Sequence, residues 1–456
     1  MGKLFGTDGV RGVANTELTC EMAMRIGMAV ASVLTQNKSK KAKILIGKDT
    51  RLSSDMLEGA LVAGICSVGV DVISLGVVPT PAVAYLVKKY KADAGVMISA
   101  SHNSFEFNGI KIFSAEGYKL PDDIEAQIEL IVLGETTLNI ENIKYSDIGR
   151  RSYKENAVDD YIEHIITTIN GDLKGLKVAF DCSNGSASRT ASTLFSKLGV
   201  ECVMLNDTPN GVNINDNCGS VHIENLIDYV KSHNLDLGIA FDGDADRCLA
   251  VDDIGNIIDG DFIMAICAKA LNENGMLNKN TVVGTVMTNM GFNRFCTDSK
   301  LNFVSTKVGD RYVLEEMLKE GYNFGGEQSG HIIFLDYSTT GDGQLTAVQL
   351  LNILKNKGKK LSQVSNLMKK FPQVMVNVKV SNEGKLKFCT DEEIQNVIEK
   401  INKEFVSIDS KENSGRIVVR VSGTEPLVRI MLEGEDLDKI TSLANEVAQV
   451  VKERLS

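Results

Sequence analysis

At 456 residues, with 43% apolar and 24% charged residues, the chain can bury several hydrophobic cores and has the composition of an ordinary folded protein. Its formal charge of −11 repels nucleic acid, and no apolar run reaches the roughly 18 residues that span a bilayer. The first residues carry no secretory signal, and nine cysteines without a Cys-x-x-Cys pair suit neither a disulfide framework nor a zinc site, so a cytoplasmic location is expected.

The chain opens on Phe5-Gly6-Thr7-Asp8-Gly9-Val10-Arg11-Gly12. Three glycines and an arginine predict a flexible loop that could swing over an anion, or simply a mobile terminus. From residue 43 to about 365, apolar strands alternate with amphipathic helical stretches, which predicts α/β architecture with mixed or parallel sheets. Segments 68–75 and 198–205 echo one another as helix end, glycine stop and strand, and 301–305 repeats the pattern more loosely. Strands at 43–47, 177–181 and 281–284 each open an α/β segment, so three similar domains are expected. After Phe371-Pro372 the order becomes strand 374–380, helix 391–405, strands 416–421 and 427–433 and a last helix, a small α+β domain. The expected divisions are 1–155, 156–257, 258–371 and 372–456.

Several connections carry chemistry. Ser99-Ala100-Ser101-His102-Asn103 follows a strand at 95–98, where α/β sheets expose reactive groups, although a lone Ser-His pair is also ordinary turn chemistry. Asn108-Gly109-Ile110-Lys111 reads as a turn with a cation. Asp242-Gly243-Asp244-Ala245-Asp246-Arg247 follows an apolar strand at 237–241 and presents three alternate carboxylates. An EF-hand would need glycine sixth and glutamate twelfth, where this chain has Arg247 and Asp253, so the loop suits an open Mg²⁺ site or, failing that, a solvated acidic turn. Gly325-Gly326-Glu327-Gln328-Ser329-Gly330-His331 offers a carboxylate, an amide, a hydroxyl and an imidazole to a sugar, or is a polar turn. Arg420-Val421-Ser422-Gly423-Thr424-Glu425-Pro426-Leu427-Val428-Arg429 looks like an anion cradle, or a hairpin with charged ends.

Together and in this order, these segments resemble the α-D-phosphohexomutase superfamily over essentially the whole chain. The opening motif and Gly-Glu-Gln-Ser-Gly-His are most similar to its amino-sugar branch, rather than to the phosphomannomutase or phosphoglucomutase branches. The resemblance implies three topologically similar mixed-sheet α/β domains plus a C-terminal α+β domain of TATA-binding-protein type around a central cleft. It implies a phosphoserine at Ser101 and one Mg²⁺ held by Ser101, Asp242, Asp244 and Asp246. Arg11, Lys111, Arg247 and His331 would surround the reacting phosphate and proton, and Glu327 and Ser329 the sugar. Arg420, Ser422, Gly423, Thr424 and Arg429 would grip the distal phosphate.

The implied reaction interconverts glucosamine 6-phosphate and glucosamine 1-phosphate through a 1,6-bisphosphate. Glucosamine or glucose 1,6-bisphosphate would serve as activator, and the product would feed peptidoglycan precursors. The expected partner is a small phosphosugar, with neither nucleic acid nor membrane, and a homodimer is compatible with the sequence. Ser104 stands where many relatives have proline, a change that bears on loop rigidity and removes no reacting group. The alternatives are a mutase of glucose or mannose phosphates, a phosphatase that passes the phosphoryl group to water, and a silent phosphosugar-binding regulator. The last is disfavoured because nucleophile and carboxylates are all present.

Overall fold

The computed structural model describes residues 4–6, 8–35, 41–138, 143–405, 414–422 and 426–456. Residues Met1–Thr285 and Leu301–Leu367 form one compact unit, and Val286–Lys300 with Met368–Ser456 form another.

One arrangement of four strands occurs three times. Lys43–Lys48 runs parallel to both Asp71–Val77 and Ala94–Ile98, and Phe107–Ser114 returns antiparallel to Ala94–Ile98. Lys177–Asp181 likewise runs parallel to Glu201–Leu205 and Leu237–Phe241, with Cys248–Asp252 returning on the latter. Thr281–Thr285 does the same with Asn302–Thr306 and Phe324–Gly326, and Ile332–Phe334 returns on Phe324–Gly326. The three α/β sheets are therefore topologically alike. Ala94–Ile98, Leu237–Phe241 and Thr281–Thr285 are buried throughout, which is why they read as continuous apolar runs: helices cover both faces of each sheet.

The repeat decides where chemistry is placed. In each copy the third strand ends at the edge where parallel strands present their carboxyl ends, and a short connection turns back into the fourth strand. Those three connections hold Ser101, the Asp242–Asp246 carboxylates and Glu327–His331.

Two local expectations change. The opening motif is not a swinging loop: Phe5–Gly6 and Gly9–Val13 form a hairpin that extends the first sheet by pairing Val10 with Ile110 and Arg11 with Gly109. Gly9 has φ +81°, and a Cβ there would strike the Ile110 carbonyl, so the glycine serves close packing rather than mobility. By the same pairing, Asn108-Gly109 lies inside the strand Phe107–Ser114 and makes no turn.

In the second unit, a three-stranded antiparallel sheet has the order Gln373–Lys379, Leu427–Gly434, Gly415–Val421. Helices Glu392–Phe405 and Leu437–Leu455 bury Ile394, Ile401, Ile440, Val447 and Val451 against Val428, Ile430 and Leu432. The fully buried Glu433 ties in the helix Met290–Asp298. It accepts from Asn289 Nδ2 (2.9 Å), the Met290 amide (3.2 Å), Gln373 Nε2 (2.9 Å) and Arg416 Nε (2.6 Å). Arg416 also donates to the Thr288 carbonyl at 2.6 Å.

Candidate active site

Ser101 is 1% exposed, and its backbone is left-handed at φ +53°. Its hydroxyl donates to Asp242 Oδ2 at 2.6 Å, while the amide of Arg247 donates to Asp242 Oδ1 at 3.2 Å. Asp242, Asp244 and Asp246 turn ligand oxygens toward one another within 4.8 Å, the one cluster of this kind among the described residues. Burial raises the pKa of Asp242 well above the carboxylate range, and the Asp246 and Asp244 charges raise it further. Asp244 Oδ1 and Asp246 Oδ1 are buried without a hydrogen-bond partner. Clustered carboxylates with orphaned oxygens fit a hard divalent cation of the Mg²⁺ type, with Ser101 as a further oxygen donor.

A closed circuit of alternating charges surrounds this group. Lys111 Nζ is 2.7 Å from Asp244 Oδ2, 3.2 Å from Asp246 Oδ2 and 2.9 Å from Asp8 Oδ2. Asp8 Oδ1 meets Lys119 at 2.5 Å, and Lys119 pairs with Asp310. Asp310 lies 3.3 Å from His331 Nε2, and His331 Nδ1 faces Asp246 at 3.7 Å. The Gly341 amide donates to Nε2 at 3.0 Å, which assigns the proton of the neutral ring to Nδ1. Burial works against a charged His331, but Asp310 and Asp246 outweigh it and raise its pKa. His102 goes the other way: burial, then Arg247 and Arg11, push it down to about 4, and its Nδ1 accepts from Arg247 at 3.1 Å. Arg11 is held by Asp8 at 2.5 Å.

Four family models cover the chain in order: Phosphoglucomutase/phosphomannomutase alpha/beta/alpha domain I (residues 2–139), domain II (159–255), domain III (259–371) and the C-terminal domain (375–450). The phosphoglucosamine mutase of Clostridium acetobutylicum is 55% identical over all of both chains. The chain belongs to the phosphoglucosamine mutase family. Among solved structures, a phosphoglucomutase/phosphomannomutase family protein from Burkholderia thailandensis matches with TM-score 0.81 at 25% identity, over 99% of this chain and 98% of that one. The N-acetylphosphoglucosamine mutase of Aspergillus fumigatus, solved with GlcNAc-6P and magnesium, shares the fold with TM-score 0.71 at 17% identity, over 99% of this chain and 96% of that one.

In this phosphoglucosamine mutase family member, Ser101, Asp242, Asp244, Asp246, Lys111, Arg247 and His331 converge, with Arg11 beside them on Asp8. Glu327 is half-buried and accepts from the Gly309 amide at 3.0 Å, while Ser329 is exposed at the tip of its loop. Arg420 and Arg429 lie on the second unit as directly opposed residues of paired strands, so both project from one sheet face. Ser422 is buried at the end of its strand, and Gly423 and Thr424 lie outside the described residues.

Sequence reading singled out neither Lys119, Asp310, Asp8 as a charge partner, nor Arg51 and Asn215, which hold the Ser101 loop. Asp8 sits inside a recognised motif and could have been marked. The others carry no local signal, because each matters only through partners far along the chain.

Proposed function

We propose that the chain interconverts glucosamine 6-phosphate and glucosamine 1-phosphate through phospho-Ser101 and a 1,6-bisphosphate. The observation that carries this reading is the Ser101 hydroxyl, 2.6 Å from Asp242 within a buried carboxylate triad that has unsatisfied oxygens. In the first transfer the Oγ–P bond of phospho-Ser101 breaks as O1 of the sugar bonds to phosphorus, and the O1 proton leaves to a protein base. The bisphosphate turns over, its O6–P bond breaks, Ser101 regains a phosphoryl group, and O6 takes up a proton. His331 and Lys111 carry that proton in this reading, and Arg11 and Arg247 steady the phosphoryl oxygens.

One Mg²⁺ per chain, on Ser101, Asp242, Asp244 and Asp246, supplies charge neutralisation when bound. Glu327 and Ser329 read the sugar. Arg420, Ser422, Gly423, Thr424 and Arg429 hold whichever phosphate is not reacting, so one distal site serves both orientations. A sugar 1,6-bisphosphate acts as activator, the enzyme works in the cytoplasm, as a homodimer in this reading, and the domains divide near 155, 257 and 371. The family relatives, and the magnesium and GlcNAc-6P bound in the Aspergillus fumigatus N-acetylphosphoglucosamine mutase, support this assignment.

Coupled turnover with Mg²⁺ and trace sugar bisphosphate tests it, comparing kcat/KM for glucosamine 6-phosphate with those for glucose and mannose 6-phosphates. A strong amino-sugar preference is expected. Equal use of a neutral hexose would overturn the substrate, and steady phosphate release without isomerisation would overturn the mutase chemistry.

A further inference from the structure

The carbonyls of Ser101 and Asn103 each take two hydrogen bonds from side chains outside their loop. Arg51 Nη2 donates to them at 3.0 and 2.8 Å, and Asn215 Nδ2 donates to the same two oxygens at 2.9 and 2.9 Å. A peptide oxygen has two lone pairs, so each carbonyl is saturated. Arg51, 2% exposed, also reaches the carbonyls of Ser104 and Phe107 (3.1 Å to the latter). Asp49 aims it: one carboxylate oxygen accepts from Arg51 Nε at 2.8 Å and from Ser99 Oγ at 2.6 Å. Ser99 Oγ in turn accepts from the Ser101 amide at 3.0 Å.

The two donors come from different places. Arg51 follows the strand Lys43–Lys48 of the first sheet, whereas Asn215 follows the strand Glu201–Leu205 of the sheet that carries the acidic loop. The surfaces are also tight where they meet. A Cβ at Gly243 would lie 2.6 Å from the Ser101 carbonyl and 2.9 Å from Asn215 Nδ2, so the serine loop and the acidic loop share one close-packed contact. A left-handed serine is held only where its surroundings over-determine it, and these bonds are the surroundings.

We propose that Arg51 and Asn215 are positioning residues for phosphoryl transfer: they keep Ser101 left-handed with Oγ against Asp242, and Asn215 lets the metal-binding repeat itself set the position of the nucleophile. This rests on the phosphoserine reading above. Arg51 directs its donors to Asp49 and loop carbonyls, and Asn215 Nδ2 donates to loop carbonyls, so loss of the clamp should act on the rate of transfer and not on capture of the sugar phosphate.

Asn215→Gly is the clean test, because position 215 has φ +58°, which glycine tolerates, so only the amide is lost. Asn215→Asp keeps the shape but sets an acceptor against two acceptors. With Ser101 phosphorylated, kcat and the single-turnover transfer rate should fall about tenfold or more in Asn215→Gly and further in Asn215→Asp, with KM changed by less than about twofold. The proposal is overturned if both variants keep kcat within about twofold of wild type, or if the loss is matched entirely by a smaller folded fraction in thermal unfolding. Wild-type enzyme that turns over no hexose phosphate would overturn the phosphoserine reading and the clamp together, whereas an active wild type with indifferent variants sinks the clamp alone.

Discussion

Ser101 and Ser329 sit on equivalent connections of two sheet repeats, the first 1% exposed in a loop whose Ser101 and Asn103 carbonyls each take two side-chain hydrogen bonds, the second exposed at the tip of a glycine-flanked turn. The fold has put one topological position to two uses. Where a bond must form and break, the loop is buried, left-handed and held from outside. Where, on the proposed function, a sugar is read and released, the loop turns Ser329 outward while the Gly260 and Cys248 amides donate to its Gln328 and Gly330 carbonyls and the Gly309 and Gly341 amides donate to Glu327 and His331. On the proposed function, rigidity would keep the reacting atom in attack geometry, while an exposed recognition loop would let two orientations of one ligand bind in turn.

The largest effect should come from the rigid side of this comparison. Ser101→Ala should lower mutase turnover on the order of 10⁴-fold or more while leaving sugar-phosphate binding by calorimetry within a few fold. A near-wild-type rate would show that the buried loop is scaffold only. Next comes the circuit that ties the acidic loop to His331. Lys119→Met leaves the Asp8 and Asp310 carboxylates without their shared cation, and breaking a pair of this kind costs about 3–5 kcal/mol. The urea midpoint should fall accordingly, with turnover lower by roughly tenfold through His331; an unchanged midpoint would mean that the circuit closes without Lys119.

On the open side, effects should be smaller and fall on selectivity. Glu327→Gln should reduce the preference for glucosamine over glucose 6-phosphate by about tenfold in kcat/KM, with the neutral sugar little affected. Equal loss on both sugars would assign Glu327 to loop structure, through its bond to the Gly309 amide.

The smallest effect is on pH dependence. Burial pushes the Asp342 carboxyl up to about 6, even though the Leu345 amide (2.9 Å) and Tyr161 hydroxyl donate to it. A raised carboxyl contributes stability that is present below its unfolded pKa near 3.8 and is lost as pH rises through about 6. Asp342→Asn keeps the helix cap and removes the titration, so between pH 5 and 7.5 the wild type should lose about 1–2 kcal/mol relative to the variant in denaturant unfolding. Parallel curves would indicate that the carboxyl stays ionised in the folded protein.

Much of this was legible because it is local. A fully buried strand needs an uninterrupted apolar run, so Leu237–Phe241 could be seen in the sequence, and a polar loop directly after such a strand has to emerge at the sheet's carboxyl edge. The alternating carboxylates after it suggested a cation site by type and spacing alone, and the fold brings all three together and buries them. The glycines misled. At Gly9 and Gly109 the same residue type that marks turns marks close strand contact instead, and only the neighbouring strand distinguishes the two.

What the sequence by itself determined, then, is most of the strands and helices, apart from the N-terminal hairpin and the strand Phe107–Ser114, together with the repeated unit they build and which loops carry polar groups, since each depends on residues within a few positions of one another. Tertiary structure alone decided who supports those groups. Ser101 meets Asp242 across 141 positions and Asn215 across 114, and the helix Met290–Asp298 joins the C-terminal sheet through Glu433 more than a hundred positions on. A charge or amide is no different in sequence when it faces water than when it closes a buried circuit. Its role is set by burial and by the partner opposite it, which exist only once the chain has folded.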